Sequence, residues 1–60
     1  MSELREKILE YRAKHDMSQR DFANLCHLNV MTINGIEVGK RMPTKMTAKK
    51  IEIAMEEKEE

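Results

Sequence analysis

Cys26 and His27 stand side by side in a chain of 60 residues, with His15 upstream and the glutamates Glu56, Glu57, Glu59 and Glu60 at the end. Nucleophilic, metal or acid–base chemistry would have to use these side chains. A zinc site needs several ligands at set spacings, and one Cys beside one His does not supply them. A Gly-rich phosphate loop is also missing, since glycine occurs only at positions 35 and 39. The glutamates read as a solvated acidic tail over about residues 56–60. Cys26, the only cysteine, has no partner for an internal disulfide and reads as a small buried hydrophobe. The expectation is a protein that is not an enzyme and carries no metal and no cofactor.

The remaining chemistry is that of binding. Net charge is zero, but the charges are unevenly placed. Residues 12–50 carry eight Lys and Arg against three acids, whereas residues 51–60 carry five glutamates against Lys58. A basic body with an acidic end can still turn a positive face to phosphates. Arg20, Lys40 and Arg41 are cations suited to that task, and Asn29, Thr32 and Asn34 lie between them. There is no apolar run of membrane-spanning length and no signal-peptide pattern, so a cytoplasmic protein without a membrane partner is expected.

Short helices must position these groups. A chain this small makes one domain with a limited core. Alternating apolar patterns are absent, which argues against strands. A first helix is expected over Glu3–His15, capped by Ser2, with Leu4, Ile8 and Tyr11 on one stripe. Arg12 falls on that stripe and needs a partner if the stripe is buried. Ser18 with Asp21 predicts a capping box that opens a second helix ending near Cys26 or His27. Asn29 predicts the cap of a third helix, with Ile33 and Ile36 inward, which Gly39 stops through a left-handed residue. Gly35 is an unfavourable residue inside it, so packing must hold this helix. Thr44, after Pro43, opens a last helix whose Met46, Ile51, Ala54 and Met55 cover the core, and Met17 is further core filler. The expected fold is all-α, a compact arrangement of four or five helices in a single domain over residues 1–60.

Residues 18–39 contain Gln19, the pair Phe22-Ala23, Ile33, then Glu37-Val38-Gly39-Lys40, with Pro43 following. In this order and spacing the chain resembles the helix-turn-helix of the lambda repressor and Cro family (XRE-type transcriptional regulators) over roughly residues 4–55. The resemblance implies a lambda-repressor-like domain whose helix-turn-helix core spans about residues 18–38. It implies double-stranded DNA as partner, with the second helix of the unit in the major groove and a homodimer on a two-fold site. It also implies that Gln19 binds a backbone phosphate and that Val30, Met31 and Gly35 occupy base-reading positions. Finally, it implies that Arg12 pairs with Glu37, the one acid between Asp21 and Glu52.

Several residues depart from the family pattern. Val30, Met31 and Gly35 offer no side-chain hydrogen bond to a base. His27 stands where the family has a turn glycine, and Val38 replaces a polar phosphate contact. These departures favour weakly specific DNA binding by a repressor. Phosphates then fall to Gln19, Arg20, Lys40 and Arg41, and bases to Asn29, Val30, Met31, Thr32, Asn34 and Gly35. The alternative is a protein-interaction module on the same fold, an accessory or antagonist of another regulator, with Val30, Met31 and Val38 docking a protein partner.

Overall fold

The computed structural model describes residues 3–59 of the chain, and the side chains of residues 3–56. Its elements are four α-helices: α1 Glu3–His15, α2 Gln19–Cys26, α3 Val30–Glu37 and α4 Lys45–Glu59. The described residues thus hold four helices and no strand, and α4 runs on through the acidic segment to Glu59. The expected Ser2 cap lies outside the described residues.

Local hydrogen bonds explain where each helix starts. The Asp21 amide donates to Ser18 Oγ at 3.0 Å and the Ser18 amide to Asp21 Oδ2 at 3.4 Å, which closes the capping box of α2. Asn29 Oδ1 accepts from the Met31 amide at 2.8 Å and caps α3. Thr44 Oγ1 accepts from the Thr47 amide at 3.1 Å and opens α4.

The first three helices stop by one device. Asp16, His27 and Gly39 take the left-handed conformation, with φ of 54°, 61° and 83°. Each is followed by an amide that reaches back five residues: Met17 to the Arg12 carbonyl, Leu28 to Ala23 and Lys40 to Gly35, each at 2.9 Å. This is the Schellman arrangement, which satisfies carbonyls that the helix leaves unpaired. Only the third has glycine at its left-handed position. His27 is exposed, so its side chain contributes little packing there to offset the backbone strain. His27→Gly is expected to stabilise the fold by about 0.5–1 kcal/mol, and a scan of thermal unfolding should show the midpoint a few degrees higher. A lower midpoint would mean that the imidazole stabilises the turn.

All four helices contribute to the core: Ile8 and Tyr11, Phe22, Ala23 and Cys26, Ile33 and Ile36, and Ile51 and Ala54. Tyr11 meets Phe22 with ring centroids 5.7 Å apart, within the range of a favourable tilted pair. Ala23 is small and fully covered, on the helix that packs most extensively against α3. Met17 and Met55 pack against the core as expected. Met46 does not: it is 73% exposed, because it falls on the outer side of α4's first turn. Burial pushes the Cys26 thiol up from 9.0 to about 11. It therefore stays protonated at neutral pH and serves as a core side chain.

Candidate nucleic-acid interface

The polar centre of the molecule is Glu37, the last residue of α3. Its side chain is 6% exposed, yet it carries a charge. Arg12 Nη1 donates to Oε1 at 2.6 Å and to Oε2 at 2.8 Å. Arg12 Nε donates to the Met17 carbonyl at 3.1 Å, so one guanidinium ties α1, the turn after it and α3 together. The ion pair implied by the family pattern is therefore present and largely buried. A buried carboxylate with charged and neutral donors around it is satisfied, whereas the same group without them would be costly.

Two further groups complete this network, and sequence reasoning missed both roles. Gln19 Nε2 donates to Glu37 Oε1 at 2.9 Å and to Asn34 Oδ1 at 3.2 Å. Both amide hydrogens of Gln19 thus have acceptors inside the protein. The expected phosphate contact through that amide would need one of them released. Arg5 Nε donates to the Glu37 backbone carbonyl, one of those left open at the end of α3. Arg5 lies seven residues before Arg12, two turns along the same helix face, and that spacing was the available signal.

With Glu37 turned inward, α3 presents a face without negative charge. Met31, Gly35 and Val38 share it by helical spacing, opposite the buried Ile33 and Ile36. Met31 is 70% and Val38 55% exposed, and Asn34 lies exposed at the edge. Thr32 is half-buried. Val30 is also half-buried and packs against the core, so only part of it is available to a partner. Asn29 is exposed, but its side-chain oxygen is occupied as the α3 cap.

Gly35 departs from the expectation more sharply. The family pattern puts it at a base-reading position, but it is buried beneath Arg41. A Cβ on Gly35 would stand 3.0 Å from Arg41 Cδ, 3.2 Å from Cβ and 3.3 Å from Cγ. The chain reversal at Gly39 brings Arg41 there, because the Lys40 and Arg41 amides both donate to the Gly35 carbonyl, at 2.9 and 3.1 Å. A glycine inside a helix costs about 1 kcal/mol relative to alanine. Here the missing side chain makes room for the arginine stem. Arg41 thus lies across the face of α3 and does not flank it.

Arg20, Lys40 and Arg41 are all exposed, and none of their side chains has a hydrogen bond or ion pair among the described residues. Arg20 sits in the first turn of α2, beside Gln19, and Lys40 in the turn that ends α3. Among the described residues no group of three His, Cys, Asp or Glu could hold a metal ion. No described helix is long and apolar enough to cross a membrane.

A family profile described as helix-turn-helix matches residues 8–60, nearly the whole chain. Comparison with curated proteins and with solved structures finds no match.

Proposed function

Because the chain belongs to the XRE/lambda repressor-like helix-turn-helix family of DNA-binding transcriptional regulators, we propose that it is a repressor that lays α3 in the major groove of double-stranded DNA. Arg20 and Lys40 hold phosphates, while Met31, Thr32 and Asn34 face the bases. Gln19 sets the position of α3 from within. Two copies bind a two-fold site, as is general for such units.

One observation carries this reading. The single acid on α3 is turned inward and neutralised by Arg12, so the outward surface offers no repulsion to phosphates. Unpaired cations stand at its borders. The test is retention of random-sequence duplex DNA at 50 and 200 mM salt, followed by sequencing of the retained fraction. With two cations engaged per copy, affinity should fall about twelvefold per bound copy over that range.

A second reading has its own support. Met31, Val38, Met42 and Met46 are 70%, 55%, 88% and 73% exposed, apolar side chains on α3, the segment after it and the first turn of α4. Such side chains suit a protein partner. Binding that ignores salt, with a protein in place of DNA, would select this reading over the first.

A further inference from the structure

We propose that Arg41 reads bases alongside Thr32 and Asn34, recognising a guanine from a stem anchored on the α3 face. The inference rests on the docking of α3 proposed above and assigns part of its specificity to a residue outside that helix. Its stem lies against the Cα of Gly35, where the position's own side chain would otherwise stand. Met31 and Val38, neighbours of Gly35 on the same face, are apolar and offer no hydrogen bond to a base edge. The Arg41 stem is therefore anchored at the middle of that face, and the guanidinium it carries is the hydrogen-bonding group attached there. It is exposed and has no partner among the described residues. Two amides bonded to one carbonyl anchor its backbone, and close contact with α3 limits its stem. A planar fork on an anchored stem matches the paired acceptors O6 and N7 that guanine shows in the major groove.

The geometry separates this role from a phosphate contact and from simple packing. Lysine at position 41 keeps the charge and most of the stem but loses the fork. The experiment is selection from random duplex DNA at low salt with the wild type, Arg41→Lys and Arg41→Ala, with thermal unfolding of each protein. The wild type should prefer guanine at one position of each half-site by about five- to a hundredfold. Arg41→Lys should weaken that preference while keeping its melting temperature and its salt dependence. Arg41→Ala should lose it, with a shallower salt dependence. A guanine preference retained by Arg41→Ala would overturn the assignment. So would an Arg41→Ala loss that is equal on all sequences, which would mark a phosphate contact. Failure of the wild type to retain any DNA at low salt would instead overturn the DNA-docking reading itself, and this assignment with it.

Discussion

Replacing Arg12 with alanine is expected to lower the midpoint of thermal unfolding by about 12–40 °C. Domains hold together by about 0.05–0.15 kcal/mol per residue, so one of this size has about 3–9 kcal/mol in total. Removing one partner of a buried ion pair costs about 3–5 kcal/mol. Arg12→Ala strands the Glu37 carboxylate at 6% exposure with only the Gln19 amide left to it, and frees the Met17 carbonyl. The reverse deletion should be milder. In Glu37→Gln the arginine side chain, 23% exposed, still reaches water and the Met17 carbonyl, and the new amide oxygen can still accept from Gln19. A double variant, Arg12→Met with Glu37→Leu, should recover much of the loss, because apolar groups of similar size need no partners. Urea and thermal unfolding of the three proteins check this order. A melting temperature for Arg12→Ala equal to that of the wild type would remove the pair from any structural role.

Removing both Arg20 and Lys40 should weaken DNA binding about sixtyfold per bound copy at 0.1 M salt without unfolding the protein. Each phosphate contact contributes about 0.9 to the slope of log affinity against log salt, or about eightfold at that concentration. Both side chains are exposed and unpaired among the described residues, so the fold loses little. Stability even argues for a binding role at Arg20. A cation in the first turn of α2 opposes the positive end of the helix dipole, a penalty of about 0.3–1 kcal/mol. Lys40 follows the end of α3, where a cation is favourable, so the two effects nearly cancel in the double alanine variant. Its salt slope should be shallower by about 2, with the loss equal on all sequences. Loss confined to particular sequences, or unchanged affinity, would refute the phosphate roles.

These two expectations draw differently on the sequence. The need of Arg12 for a partner is legible in the chain itself, because it is a charge on an apolar stripe, and the family resemblance names Glu37 as that partner. The roles of Arg20 and Lys40 are legible as charge and position, and the structure adds that neither is paired internally among the described residues. Gln19 is only half legible. Its place at the start of α2 is clear, but its use within the Glu37 network is not, because Asn34 and Glu37 lie fifteen and eighteen residues away in the chain.

The sequence alone determined where helices begin and end. Ser18, Asn29, Thr44, Asp16, His27 and Gly39 act through hydrogen bonds spanning two to five residues, and such bonds form wherever the local chain permits them. It also determined the inward stripe, since helical spacing makes Ile8, Phe22, Ile33, Ile36 and Ile51 the residues that must leave water. Tertiary structure decided what lies outside. Only the reversal after α3 could bring Arg41 onto Gly35, and only the meeting of three helices could turn the one acid of α3 inward. The character of the outward face, apolar, free of negative charge and crossed by one arginine, therefore comes from contacts between segments that no local pattern encodes.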